Sequence, residues 1–138
     1  GDEANAGFST AAPWLPVPES YKTHNVATEQ KDPDSILNFY RQLLALRHND
    51  AAMLDGKYVP LNESDENVLS FLRVDGDRAI FVALNMTATT QRPNFDLSGQ
   101  GFANALPKAL LTTMKSDPSA LKALTLEPFG VYLAEIMK

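Results

Sequence analysis

The stretch from Asp34 to Asn49 is the strongest periodic signal in this sequence. Apolar side chains recur along it at intervals of three and four residues, the spacing that places them on one face of an α-helix. Ser35 or Asp34 can cap its N-terminus, and Arg47 and His48 put positive charge in its last turn. The pattern predicts an amphipathic helix over 34–49. The residues that share its face are Ile36, Leu37, Tyr40, Leu43, Leu44 and Arg47, and Phe39 and Leu46 widen that face.

The leader, residues 1–33, is rich in proline and aromatic residues. Three prolines between residues 13 and 18 exclude helix there and favour extended or turn conformation. Phe8, Trp14 and Tyr21 are apolar anchors, unlike the polar filler of a flexible linker. We therefore predict an ordered loop held against a surface by its aromatics. A platform that stacks on sugar rings and a proline-rich ligand for a partner domain are the alternatives.

After the helix, short apolar runs alternate with turn residues. Asp55-Gly56 predicts a turn that leads into a strand ending at Leu61. Two further strands, 68–74 and 78–85, form a predicted hairpin closed through Asp75-Gly76, and the second is apolar on both faces, as in a central strand. Seven or so short strands indicate a mainly β chain with one long helix, folded as an antiparallel β-sandwich. The other predicted strands are 91–97 (an edge strand, because it contains Pro93), 109–114, 124–126 and 130–136, with a turn or single helical turn at 117–122.

Composition excludes several classes of function. The chain has 138 residues, 44% of them hydrophobic, which is enough for one domain with a core, or one domain with an extension. The net charge of −5 and the scattered basic residues argue against nucleic-acid and membrane partners. The absence of cysteine excludes disulfides and thiolate metal sites. No apolar run approaches the roughly 18 residues of a membrane span.

The dispersed glycines form no phosphate loop, so no cofactor is expected. Gly1 stands where a methionine would start a reading frame, so we expect a segment of a longer protein. The compartment, cytoplasmic or periplasmic, stays open.

The ionisable residues do not compose an active site. Paired carboxylates about 5–10 Å apart can hydrolyse glycosides, but Asp65-Glu66 and the Asp75–Asp77 pair occur in predicted turns, where such residues are ordinarily solvated. His24 and His48 fall on different elements, without the spacing of a metal site. On residue chemistry alone we predict no catalytic and no metal-binding residue.

Several spaced motifs occur in an order that resembles the α-glucosidase branch of the α-amylase superfamily, glycoside hydrolase family 13. The resemblance is to the end of oligo-1,6-glucosidases and covers residues 3–61 well, with a less specific match at the C-terminal 126–136. The motifs are Asn5-Ala6-Gly7-Phe8-Ser9, Pro13-Trp14-Leu15-Pro16-Val17, Tyr21, Asn25-Val26, Asp34 to Arg41, Leu43 to Arg47 and Gly56-Lys57-Tyr58.

The resemblance implies that residues 1–52 are the end of a (β/α)₈ barrel, an extended loop plus the last barrel helix at about 34–49. Residues 53–138 would be the Greek-key C-terminal β-sandwich of α-amylase-type enzymes. Family members hydrolyse α-glucosidic bonds with retention through two aspartates and a glutamate, all on earlier barrel strands. The resemblance thus implies a non-catalytic segment whose partner is the catalytic barrel of its parent chain. The parent would act on α-glucoside oligosaccharides, with Asn5, Phe8 and Trp14 near that substrate.

A helix that is apolar over more than half its circumference needs cover on two sides, which a barrel wall and a sandwich would provide. In this chain alone, we expect the leader to fold back or a homodimer to form through the helix face. An alternative function is a carbohydrate-binding β-sandwich that uses exposed aromatics. A protein-interaction domain that uses the leader is a third possibility. The aromatics that the strands offer are Tyr58, Phe71, Phe81, Phe95 and Tyr132.

Overall fold

The computed structural model of the chain describes residues 1–115 and 120–138. It divides into two compact units, Gly1–Ala45 and Leu46–Lys138. Residues 117–119 of the turn predicted at 117–122 lie outside the described part, and a short 3₁₀ turn occupies Leu121–Ala123.

The first unit contains little regular structure before its long helix. Short 3₁₀ turns occupy Ala4–Gly7 and Glu19–Lys22, and a single helical turn, α1, spans Val26–Glu29. Asn25 caps α1, since its side-chain oxygen accepts the Thr28 N–H at 3.0 Å. The proline-rich stretch forms neither helix nor strand, as its missing N–H donors require.

The long helix α2 spans Ile36–Asn49, which confirms the prediction from its periodicity. Ser35 is its N-cap, because the Ser35 hydroxyl accepts the Asn38 N–H at 3.2 Å. No residue of α2 is buried in this chain. Ile36, Tyr40 and Leu44, spaced four apart on one face, are each more than half exposed.

The second unit is an antiparallel sheet, which confirms a mainly β fold with one long helix. A short helix, α3 (Ala51–Asp55), precedes the sheet and was missed by the sequence analysis, because five residues give no periodic signal. The sheet order is β1-β2-β3-β5-β4, and every neighbouring pair is antiparallel. The strands are β1 (Lys57–Leu61), β2 (Val68–Asp75), β3 (Arg78–Asn85), β4 (Lys108–Thr112) and β5 (Val131–Met137).

Strand β3 lies at the centre of the sheet and is buried on both faces from Ala79 to Ala83, as predicted from its apolar run. Its hairpin with β2 closes at Gly76, whose φ of +60° suits a residue without a side chain. Phe81 belongs to the main core cluster, whereas Ile80 and Val82 are buried outside it. Because side chains alternate along a strand, Ile80 and Val82 lie on the opposite face, here called the outer face.

The layer that covers the core face is built mostly of irregular chain. Phe95 inserts from this layer and meets the Phe81 ring edge-on, with centroids 4.9 Å apart. The strands predicted at 91–97 and 124–126 are wrong, because only an isolated bridge joins Gln91 to Leu126. Pro93, Phe95 and Leu97 do alternate into the core. The alternation along 91–97 therefore predicted correctly which side chains are buried. It did not predict correctly that the segment pairs with a neighbouring strand, and proline cannot donate the backbone hydrogen bond that such pairing needs.

The outer face carries α3. Arg73 extends from β2 to donate hydrogen bonds to the α3 carbonyls of Ala52 and Leu54, at 3.3 and 3.1 Å. Apolar residues of α3 and of the outer face form a second, smaller apolar layer that is separate from the main core cluster. Its buried members are Ala52, Met53, Ile80, Val82, Leu111 and Leu133.

Replacing Gly56 by alanine should destabilise the chain, because a Cβ at Gly56 would lie 2.3 Å from the Ala52 carbonyl oxygen at the end of α3. We expect the free energy of unfolding to fall by roughly 1–3 kcal/mol, the usual cost of overpacking. Urea unfolding of the 138-residue chain measures it. Gly99→Ala is the matched control, since nothing lies within 4 Å of its Cβ position. Equal stability of the two variants would contradict the assigned close approach.

Candidate functional site

Asn5 holds the leader in an unusual left-handed turn. Asn5, Ala6 and Gly7 have φ angles of +56°, +59° and +76°, a region that alanine rarely adopts. The Asn5 amide nitrogen donates to the carbonyls of Ser9 at 3.0 Å and Ala11 at 3.1 Å, which fixes the turn. This side chain is therefore structural within the leader.

Phe8 and Trp14 do not anchor the leader in this chain. Their exposed fractions are 70% and 92%. An anchor must lose most of its surface to its neighbours, so the prediction that these aromatics hold the leader down is wrong. Phe8 and Trp14, which precede and follow residues 9–13 in the sequence, are therefore both exposed to solvent.

The strand aromatics divide between the two faces of the sheet. Phe81, Phe95 and Tyr132 are fully buried in the main core cluster. Tyr58 is half exposed and lies beside the partly buried Phe71, with ring centroids 5.1 Å apart. Of these five aromatic residues, only Tyr58 and Phe71 are exposed enough to contact a ligand.

The acidic pairs at the turns are used within the fold. Asp65 accepts the N–H groups of Asn67 at 2.9 Å and Val68 at 3.1 Å. Asp77 pairs with Lys138 at 3.0 Å. The prediction that these carboxylates lie in turns is confirmed for Asp65, Glu66 and Asp77, whereas Asp75 is the last residue of strand β2. Within residues 1–115 and 120–138, no group of three or more metal-ligating side chains comes together.

A cleft of about 600 Å³ lies beside β5, bounded by residues 101–106. Two of its charged lining groups are held in ion pairs, Lys138 with Asp77 and Glu135 with Arg78, and Lys108 also lines it. Several convergent polar groups available to a ligand are what distinguish a binding site from a surface groove. A single further cation does not make such a set, so the cleft is not assigned as a site.

The strongest electrostatic feature is a three-residue network that joins α3 to the sheet. The Arg78 guanidinium donates to both carboxylate oxygens of Asp50, one at 3.2 Å, and to Glu135 at 3.1 Å. Asp50 is also the N-cap of α3, since it accepts the Met53 N–H at 3.0 Å. The network thus fixes the start of α3 over strands β3 and β5.

The network holds the pKa of the Asp50 carboxyl below its ordinary value, chiefly through the hydrogen bond from Arg78. The Arg78 pKa is raised, chiefly by its hydrogen bond to Asp50. Both side chains are largely buried, with 8% and 28% of their surface exposed. Each therefore stabilises the charged form of the other in partly desolvated surroundings.

The end of α3 is held by arginines as well. Arg47, in the last turn of α2, donates to the Met53 carbonyl at 3.1 Å, and Arg73 reaches the same end of α3 from β2. The last carbonyls of a helix have no partner within the helix and carry partial negative charge. Guanidinium donors satisfy them here.

Asn85 closes β3 as a buried polar hub. Its amide donates to the carbonyls of Thr89 and Glu127, each at 2.8 Å, and its oxygen accepts the Thr87 N–H at 2.9 Å. This ties the end of β3 to the turn before β5. Sequence reasoning missed Asn85 and the Asp50–Arg78–Glu135 network. For Asn85, the available signal was a polar residue that closes an otherwise apolar strand.

No helix among the residues that the structure describes is long and apolar enough to cross a membrane.

Replacing Asp50 by asparagine should remove the charge while keeping a capable N-cap. We expect the free energy of unfolding at pH 7 to fall by about 1.5–3 kcal/mol, the range for hydrogen bonds to charged groups. Asp50→Ala should lose about 1 kcal/mol more, because the cap is lost too. Urea unfolding of the 138-residue chain measures both.

The contribution of Asp50 should depend on pH in a defined direction. Because the folded pKa lies below the ordinary value of 3.8, the stabilisation is fully present above that value. It should disappear as the pH falls through the lowered folded pKa, so the wild-type chain and Asp50→Asn converge in acid. A constant difference between them from pH 7 to pH 2 would contradict the ion-pair assignment.

Comparison with known proteins gives consistent relatives. The chain is 35% identical over 108 residues to a probable α-glucosidase of Rhizobium meliloti, covering 74% of this chain and 19% of that protein. It is 29% identical to the glucan 1,6-α-glucosidase of Streptococcus pneumoniae over 99% of this chain and 24% of that protein. A solved structure of trehalose-6-phosphate hydrolase from Bacillus licheniformis matches with a TM-score of 0.91 and 28% identity. That match covers 99% of this chain and 24% of the hydrolase.

The chain spans about a quarter or less of the length of these relatives. Two family models match it in succession. The α-amylase catalytic domain matches residues 1–56, and the maltogenic amylase C-terminal domain matches residues 58–133. The second match covers more than half of the chain and contains β2, β3 and β4 entirely, β1 from residue 58 and the first three residues of β5. The chain belongs to the family of maltogenic amylase C-terminal domains, in the α-amylase superfamily of glycoside hydrolases.

Proposed function

We propose that this chain is the non-catalytic C-terminal part of an α-glucosidase of glycoside hydrolase family 13, and that it stabilises the catalytic barrel of that longer protein. The observation that carries the proposal is the succession of the two family matches, catalytic domain and then C-terminal domain, along one short chain. The parent would hydrolyse α-glucosidic bonds in oligosaccharides. The names of the relatives, an α-glucosidase and a glucan 1,6-α-glucosidase, support that substrate class.

We place the boundary between the two domains at residues 52 and 53. Residues 1–52 would be the end of the barrel, with α2 as its last helix, and residues 53–138 the sandwich. This boundary lies between the division of the compact units at residues 45 and 46 and the change of family model at residues 56–58.

The exposed face of α2 supports a barrel as the partner. A Leu-sized side chain that becomes buried contributes roughly 1.5–3 kcal/mol, so Ile36, Tyr40 and Leu44 together represent substantial unused stabilisation. A contiguous apolar stripe on a helix is typical of a surface that another layer covers. The neighbouring helices of a barrel would provide that layer.

We place Asn5, Phe8 and Trp14 near the substrate of the parent. Asn5 would act by fixing the left-handed turn, and the displayed rings of Phe8 and Trp14 would meet the sugar or the loops around it. Aromatic faces suit the apolar faces of pyranose rings. The carbohydrate-binding sandwich is less well supported, because three of its five candidate aromatics are buried in the core.

The 138-residue chain should show no turnover of an aryl α-glucoside, because the family's catalytic carboxylates belong to earlier barrel strands. The longer protein should hydrolyse that substrate, and its truncation before residue 53 should shorten the half-life of activity on heating. Turnover by the 138-residue chain would overthrow the proposal. Maltose that shifted Trp14 fluorescence in this chain would favour carbohydrate binding by the segment itself.

The 138-residue chain should self-associate through the α2 face, as an exposed apolar stripe requires. Light scattering is expected to show a dimer that Tyr40→Lys weakens, because the lysine would place a charge at the centre of the stripe. Lys57→Glu, on exposed β1, is a control that should leave the dimer intact. A monomer at all concentrations would contradict the self-association.

A further inference from the structure

The chain contains two Asp-Gly dipeptides, and the fold places them in opposite surroundings. Asp55-Gly56 ends α3, whereas Asp75-Gly76 leads from β2 into the hairpin turn. An aspartate followed by glycine cyclises readily, because glycine has no side chain to hinder attack by its backbone nitrogen. Since both dipeptides carry the same reacting groups, a difference in their reactivity must come from the structure around them.

Gly76 presents a backbone nitrogen that the fold does not use. Gly76 and Asp77 are the two residues of the turn, because Asp75 pairs with Arg78 across the hairpin. Among the residues that the structure describes, none accepts a hydrogen bond from the Gly76 N–H. Gly76 is exposed, and apart from its chain neighbours nothing lies within 4 Å of the position that a Cβ would take. The nitrogen is therefore open to the side chain that precedes it.

The Asp75 carboxylate is also free. It is exposed, and no residue in the described part of the chain pairs with it or donates a hydrogen bond to it. The neighbouring carboxylate of Asp77, by contrast, is held by the Lys138 ammonium at 3.0 Å. Because the Asp75 side chain has no partner to give up, a change of rotamer is enough to turn it toward the Gly76 nitrogen.

The corresponding atoms are closed off at Asp55-Gly56. The Gly56 N–H donates to the Ala52 carbonyl at 3.0 Å, which closes the end of α3. Gly56 is buried, and a Cβ on it would lie 2.3 Å from that carbonyl oxygen. Attack on Asp55 must therefore break this hydrogen bond and move a buried residue. The hydrogen bond alone corresponds to roughly a fivefold penalty, and the burial of Gly56 adds to it.

We propose that Asp75 is a site of spontaneous isomerisation to isoaspartate in the folded protein, and that Asp55 is protected from it. The Gly76 nitrogen attacks the side-chain carboxyl carbon of Asp75 and loses its proton, and a carboxyl oxygen leaves as water. The product is a five-membered succinimide. Water then adds to the former backbone carbonyl carbon of Asp75, and the bond from that carbon to the Gly76 nitrogen breaks. The water lost in the first step is regained in the second, so the mass is unchanged.

Isomerisation at Asp75 alters a turn that also holds the end of β5. The Lys138 backbone N–H donates to the Asp77 carbonyl at 3.0 Å, and its ammonium donates to the Gly76 carbonyl at 3.2 Å. An isoaspartate adds one carbon to the backbone, so a two-residue turn no longer matches the twist of the two strands. The pairing of Asp75 with Arg78 and the contacts of Lys138 are the first to be lost. The new carboxylate lies on an exposed turn, where a carboxyl methyltransferase that takes isoaspartyl residues can reach it.

The test is to incubate the 138-residue chain at neutral pH, folded and in urea, and to quantify isoaspartate at both dipeptides by peptide mapping. In the folded chain, Asp75 should isomerise at least about fivefold faster than Asp55. In urea that unfolds the chain, the two rates should converge, because both dipeptides then react as unstructured sequence. Methyl labelling by an isoaspartyl carboxyl methyltransferase, with S-adenosylmethionine as the methyl donor, should follow the same order.

Asp75→Glu is the matched variant, because it keeps the charge but would need a six-membered ring. It should abolish the isoaspartate of the folded chain, whereas Asp55→Glu should leave the total almost unchanged. The isomerised fraction, separated by reversed-phase chromatography, should unfold at a lower urea concentration than the unmodified chain.

Equal rates at the two dipeptides in the folded chain would overturn the proposal. So would a folded chain in which neither dipeptide reacts while both react in urea, because the hairpin would then protect Asp75 as well. An isomerised fraction with an unchanged unfolding midpoint would contradict the role given to the turn. No glycoside enters these measurements, so they are independent of the proposed function.

Discussion

The interaction on which the arrangement of the second unit depends is the ion network of Asp50, Arg78 and Glu135. One guanidinium ties the cap of α3 to the central strand and its neighbour β5. Because Arg78 is largely buried, removing either carboxylate would leave charge poorly compensated, and the network therefore specifies one position for α3. The same element is the last that matches the catalytic-domain family, so the network fixes the junction between two families of sequence.

The sheet is asymmetric in a way that follows from this junction. Its core face is closed by an irregular layer, in which Phe95 packs edge-on against Phe81. Its outer face is closed only beneath α3, and the apolar row led by Leu69 and Leu84 remains open. A strand such as β3, which is apolar on both faces, needs cover on both. This chain supplies all of one cover and part of the other, which accounts for a stable sheet with an unoccupied surface.

Local features could be predicted from the sequence, and long-range ones could not. The helix α2, its Ser35 cap and the β2–β3 hairpin depend on residues a few positions apart, so periodicity and turn chemistry predicted them. The order of the sequence motifs also predicted the protein family correctly. The Arg78 network joins residues 28 and 57 positions apart, which no local pattern records. The strand predicted at 91–97 was wrong because alternation reports burial rather than pairing. Phe8 and Trp14 were wrongly predicted to be anchors, because the apolar character of a side chain does not show what it packs against.

In a longer protein, the surfaces left open in this chain would be covered by a catalytic domain. Hydroxyl-radical footprinting of Met86 and Phe129 can detect that cover, with Leu106 as the internal reference, since all three side chains are more than half exposed here. All three should be oxidised readily in the 138-residue chain, whereas Met86 and Phe129, but not Leu106, should be protected in the longer protein. Unchanged reactivity of Met86 and Phe129 in the longer protein would contradict it.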